Sequence, residues 1–142
     1  MFRIGYYQFC PQFGKVQKNL STIVRALGSA KADLIVLPEL ALTGYYFAGR
    51  RECVALAQDP AGSGVVDTLV ALCRARKFHL AIGFAEKKKD RCFNSALLLG
   101  PKGIVHTYRK LHLFRCALGS IEHLPAIHIS RGCEPVSHWN LS

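Results

Sequence analysis

Two charged residues stand where strands are expected to end. Glu39 follows Leu34-Ile35-Val36-Leu37-Pro38, an apolar run stopped by a residue that cannot donate to a sheet ladder. Lys110 follows the strand-like run Ile104 to Tyr108 and lies within Tyr108-Arg109-Lys110-Leu111-His112-Leu113-Phe114. Open α/β sheets place their chemistry at the carboxyl ends of buried strands. A carboxylate beside an ammonium group suits acyl transfer: the base takes protons, and the ammonium steadies the oxyanion of a tetrahedral intermediate. Each residue taken alone also has an ordinary reading. A strand-end glutamate can cap a helix or pair with a surface lysine, and a lone lysine is usually a surface lysine.

The chain has six cysteines: Cys10, Cys53, Cys73, Cys92, Cys116 and Cys133. None forms a C-x-x-C pair, and no signal-peptide layout precedes Met1-Phe2-Arg3-Ile4-Gly5, so no disulfide framework is expected and the expected compartment is the cytoplasm. Cys10, Cys73 and Cys92 fall in apolar-periodic segments and are expected to be small core residues. His123, His128, Cys133 and His138 in the tail match no zinc spacing, so no metal site is expected.

The elements that position Glu39 and Lys110 follow from periodicity. Phe2 to Phe9 reads as an aromatic-rich first strand, broken by Pro11. From Lys15, Val16, Leu20, Ile23, Val24 and Leu27 form the stripe of an amphipathic helix that stops at Gly28. Strand, helix and the strand Leu34 to Leu37 make one βαβ crossover, right-handed by default. Arg51 to Gln58 reads as a short helix and Asp59-Pro60-Ala61-Gly62 as a turn. Ser63 is a good N-cap for a helix whose apolar face is Val65, Val66, Leu69, Val70 and Cys73. His79 to Ala85, Cys92 to Leu99 and Ile104 to Tyr108 are three strands joined by short turns, hence antiparallel neighbours. The fold class is therefore α/β with a mixed sheet and two main helices. Tyr45, Tyr46 and Phe47 either line a pocket beside Glu39 or simply pack.

Composition sets outer bounds. The 142 residues are half hydrophobic, enough for one domain with a real core and against disorder. No apolar run of transmembrane length exists, and no membrane partner is expected. The net charge of +10 raises the question of nucleic acid. The dense basic cluster, Lys87-Lys88-Lys89 with Arg91, is interleaved with Glu86 and Asp90 at a hairpin position and reads as a solvated turn. No recognition motif accompanies it, so no nucleic-acid partner is expected.

Four pieces, in order and at matching intervals, resemble the carbon–nitrogen hydrolase (nitrilase) superfamily. They are Leu34-Ile-Val-Leu-Pro-Glu39-Leu-Ala-Leu-Thr-Gly44-Tyr45, the helix from Ser63, Phe93-Asn94-Ser95-Ala96 with Gly100-Pro101-Lys102-Gly103, and Tyr108-Arg109-Lys110-Leu111-His112-Leu113. The resemblance implies a nitrilase-like α-β-β-α sandwich, incomplete here, in which a Glu-Lys-Cys triad hydrolyses a small amide, nitrile or N-carbamoyl compound without metal or organic cofactor. It makes Glu39 the general base and Lys110 the group that stabilises the intermediate. It also implies homo-oligomers, which family members commonly form.

The nucleophile is where the chain departs from the pattern. The family places it after a further strand, in a motif like Gly-Val-x-Ile-Cys-Tyr/Phe-Asp. Cys116 comes too soon after Lys110, and Cys133 is followed by Glu134-Pro135. Cys133 is the candidate nucleophile by its order in the chain. Residues 1–114 are thus read as a partial carbon–nitrogen hydrolase domain and 115–142 as an atypical tail, as a frameshift, splice variant or truncated gene model would give. Two functions follow: a carbon–nitrogen hydrolase, or a catalytically inactive truncated member that acts at most as a binding module.

Overall fold

A computed structural model describes residues 1–111. The expected tail, with Cys116, Cys133 and the four-residue metal candidate, lies outside them. The elements run β1 (Ile4–Tyr6), α1 (Val16–Leu27), β2 (Leu34–Val36), α2 (Arg50–Leu56), α3 (Gly64–Arg76), β3 (His79–Lys88), β4 (Arg91–Gly100) and β5 (Gly103–Arg109). They form one five-stranded sheet in the order β1-β2-β3-β4-β5. β1, β2 and β3 are parallel, and β3, β4 and β5 are antiparallel. This is the mixed sheet that the crossover and hairpin signals require.

Strand alternation gives the sheet two unlike faces. Ile35, Leu80, Ile82, Phe84, Leu97 and Leu99 point to one face and are buried with Leu20, Ile23 and Leu27 of α1 and Val65, Val66, Leu69 and Cys73 of α3. The helix stripes read from the sequence are the ones that cover this face. Ser63 caps α3, its Oγ accepting from the Val65 N–H at 3.3 Å, and Lys77 ends the helix in the left-handed conformation. On the other face Ile4, Tyr6, Val36 and Tyr108 are exposed. At its carboxyl end this second face carries α2, whose Cys53 joins Leu40, Ala57, Ala85 and Cys92 in a smaller apolar cluster.

Three expectations need correction. Cys10 is exposed, not a core residue, because β1 ends at Tyr6 and the chain has left the sheet before reaching it. Cys73 and Cys92 are buried as expected, and so is Cys53. The charged turn is also shorter than its composition suggests: β3 continues through Lys88 and β4 begins at Arg91, leaving Lys89 and Asp90 as the turn. Glu86 is therefore a strand residue, 4% exposed, and not part of a solvated loop. It is held on the helix-covered side of the sheet by Arg109 and Ser95.

Candidate active site

Glu39 lies just past β2, in a tight loop laid across the middle of β3. The loop is held by main-chain bonds from Leu37 N–H to Ala81 O at 2.8 Å, from Gly83 N–H to Pro38 O at 3.2 Å and from Ala41 N–H to Gly83 O at 3.1 Å. So close an approach requires a residue without a side chain. A Cβ on Gly83 would lie 2.3 Å from the Glu39 Cα and 2.6 Å from the Pro38 carbonyl oxygen. Gly83→Ala is accordingly expected to cost about 1–3 kcal/mol, because the obstructing atoms are backbone and cannot rotate away. A fall of the urea midpoint at unchanged slope checks this; an unchanged midpoint contradicts the packing argument.

The residue after Glu39 is strained. Leu40 has φ 48°, an unusual conformation for a branched side chain. It is held by burial: Leu40 is 1% exposed within the cluster under α2. The loop closes with Thr43 and Gly44 N–H groups donating to the Leu40 carbonyl, and Gly44 takes φ 72°. Asn19 of α1 ties the far side, its Nδ2 donating to Leu42 O at 2.8 Å. Glu39 therefore sits on a short, doubly anchored segment and not on a free loop.

Lys110 arrives from the far edge of the sheet, just past β5. β5 pairs with β4 in a register that sets Ser95 against Arg109, and the Lys110 N–H donates to the Asn94 carbonyl at 2.9 Å. The next side chain points to the face that carries Glu39. Lys110 Nζ lies 2.8 Å from Glu39 Oε1, across 71 positions of sequence. The same oxygen accepts from Asn94 Nδ2 at 2.5 Å. The Glu39 and Lys110 side chains are 31% and 37% exposed, so the pair is reachable from solvent.

Tyr45 borders this pair. Burial, and then the nearby Glu39 charge, push its hydroxyl up to about 12, so it stays protonated at any physiological pH. Tyr45 and Phe47 pack on the cluster beneath α2, and Phe13 meets Tyr46 and Phe47 edge to face. Packing thus accounts for Phe47, whereas Tyr46 is exposed and makes an edge contact with Phe13, and Tyr45 both packs and lies near enough to Glu39 to feel its charge. Sequence reasoning placed Glu39 and Lys110 but gave no role to Gly83, Asn94 or Glu86. The readable signal for Asn94 was an amide within a predicted strand, where its β-propensity is poor. Cys133 and Cys116 lie outside the described residues. Among the described residues no group of three His, Cys, Asp or Glu could hold a metal ion, and no helix is long and apolar enough to cross a membrane.

A carboxylate and an ammonium group thus meet just beyond two strand ends. The chain is 37% identical over 117 residues to a nitrilase of Pyrococcus abyssi, covering 80% of this chain and 45% of that protein. It is 33% identical over 114 residues to an (R)-stereoselective amidase of a Pseudomonas species, covering 79% of this chain and 40% of that one. Among solved structures it resembles an N-terminal amidase with TM-score 0.70 and 25% identity, over 80% of this chain and 28% of that one. The chain therefore spans less than half the length of these relatives. The carbon-nitrogen hydrolase family profile matches residues 3–134. On that match, and on the sheet and helices that carry it, the chain belongs to the carbon-nitrogen hydrolase family.

Proposed function

We propose that this chain carries the base and oxyanion-stabilising half of a thiol-dependent hydrolase acting on the carbon–nitrogen bond of a small amide, nitrile or N-carbamoyl compound. The observation that carries the reading is the 2.8 Å contact between Lys110 Nζ and Glu39 Oε1 at the strand ends, where both side chains are about one-third exposed. In the amide case a cysteine thiol gives its proton to Glu39, and the thiolate adds to the carbonyl carbon. Negative charge then develops on the carbonyl oxygen, and the Lys110 ammonium is the donor within reach. As the carbon–nitrogen bond breaks, the amine leaves with the proton held by Glu39. Water then adds to the thioester, gives a proton to Glu39, and the acid departs as the thiol is re-formed.

Cys133 is the candidate for the thiol. The expected compartment, the cytoplasm, would keep such a thiol reduced. The exposed apolar face bearing Ile4, Tyr6, Val36 and Tyr108 fits a homo-oligomer. The test is ammonia release by the purified chain from a panel of small amides, nitriles and N-carbamoyl compounds. Release that is blocked by iodoacetamide and lost in Cys133→Ala is the expected result. No release from any of them overturns catalysis by this chain and leaves the non-catalytic reading; release that survives alkylation overturns the thiol mechanism.

A further inference from the structure

Among the described residues Asn94 hydrogen-bonds to both members of the pair. It lies within β4 and is 4% exposed. Its side chain donates to Glu39 Oε1, and its main-chain carbonyl accepts from the Lys110 N–H. The amide orientation is chemically fixed: the opposite one would set the Asn94 carbonyl oxygen against a carboxylate, with no proton between them. Glu39 Oε1 thus takes both donors, from Lys110 and from Asn94. Among the described residues Glu39 Oε2 accepts no hydrogen bond.

We infer that Asn94 is a positioning residue that divides the Glu39 carboxylate into an anchored oxygen, Oε1, and a working oxygen, Oε2, which exchanges protons with thiol, amine and water. The inference rests on the reading of Glu39 as the base. Lys110 alone cannot make this division. Its ammonium sits on a flexible four-carbon stem and follows the carboxylate as it turns. The terminal torsion of a glutamate is broad and nearly two-fold, so without a second fixed donor the two oxygens exchange places. Asn94 supplies that donor from a strand, with a short side chain and a buried position. It also adds no charge, so it fixes the carboxylate without competing with Lys110 for the developing oxyanion. Through its main-chain carbonyl the same residue also fixes the backbone from which the Lys110 side chain springs. Orientation of this kind is what a proton transfer needs, and misplacement by about 1 Å can cost on the order of a hundredfold in rate.

Asn94→Leu removes the donor at similar volume and keeps the main-chain carbonyl for Lys110. Its kcat for amide hydrolysis is expected to fall about 10- to 100-fold with KM changed less than about threefold, since only the orientation of the base is lost. A second measurement does not need turnover. In 15N-labelled protein the Asn94 side-chain amide is expected to show one strongly shifted proton, and that resonance is expected to move in Glu39→Gln. A wild-type kcat in Asn94→Leu, a change confined to KM, or an Asn94 amide indifferent to Glu39→Gln each overturns the inference. If the wild-type chain releases no ammonia, the proposed function fails, and the amide resonance alone decides whether Asn94 anchors Glu39.

Discussion

Glu39→Gln is expected to lower the rate of amide hydrolysis about 10²- to 10⁴-fold while leaving the fold in place. The glutamine is isosteric and its amide oxygen can still accept from Lys110 and Asn94, the two donors that now hold Glu39 Oε1. What it cannot do is take a proton, so only the transfer steps are lost. The fold is spared because the Glu39–Lys110 pair is about one-third exposed on both sides, and an ion pair so open to water contributes at most about 1 kcal/mol to stability. Lys110→Met is expected to cost about 10²- to 10³-fold, the usual loss when an oxyanion donor is removed. Ammonia release measures the rate, and an unfolding free energy from urea titration within about 1 kcal/mol of wild type verifies the fold. A folded Glu39→Gln protein that turns over at the wild-type rate refutes the assignment of the base.

The largest effect on stability is expected on the other side of the same strand. Arg109 Nε donates to Glu86 Oε2 at 2.9 Å, its Nη2 donates to Oε1, and Ser95 Oγ donates to Oε2 at 2.7 Å. Arg109 also lies over the Phe93 ring, 4.2 Å from its centroid. The Glu86 side chain is 5% exposed and Arg109 39%. Arg109→Leu leaves a buried carboxylate with Ser95 as its remaining partner, at a cost of about 3 kcal/mol, the low end for breaking a buried pair because the arginine is partly exposed. In a chain of this size that lowers the melting temperature by about 10 °C. Since Arg109 is followed by Lys110, the variant is also expected to lose activity at temperatures where it remains folded. An unchanged melting temperature refutes the clamp.

The clamp also has a pH signature. Hydrogen bonds from Arg109, more than from Ser95, hold the Glu86 carboxyl below the usual value of 4.5 despite its burial. The folded protein therefore binds fewer protons at Glu86 than the unfolded chain. The stability that Glu86 contributes is present above the usual value and is lost as pH falls through it toward the lowered folded one. Urea midpoints taken downward from pH 6 are expected to drop through this range in the wild type. In Arg109→Leu the drop is expected to be shallower, because the main cause of the low value is gone. Equal slopes in both proteins would show that other groups dominate acid unfolding.

What was legible in the sequence, and what was not, follows from the range of the interactions. Helix α1, helix α3 with its Ser63 cap and the strand that stops at Pro38 depend on near neighbours and on apolar period, and each is where those signals put it; the two hairpins also form, the first with a shorter turn than its charges suggest. Glu39 and Lys110 were legible because each follows a strand end and because their motifs resemble a family's. Their 2.8 Å contact was not, since 71 residues separate them and only the order of the strands joins them. Cys10 was misjudged because a hydrophobic pattern does not say where a short strand ends. Glu86 looked solvated among lysines, and the partner that justifies its burial lies 23 residues away on β5. Gly83 carried no local signal at all, because its meaning is the backbone of another segment lying where a Cβ would be. The sequence by itself determined the elements, the strand-end placement of a carboxylate and an ammonium group, and the family. Only the tertiary structure decided that these two groups share one oxygen with Asn94, because sheet register alone brings β2, β4 and β5 to a single point.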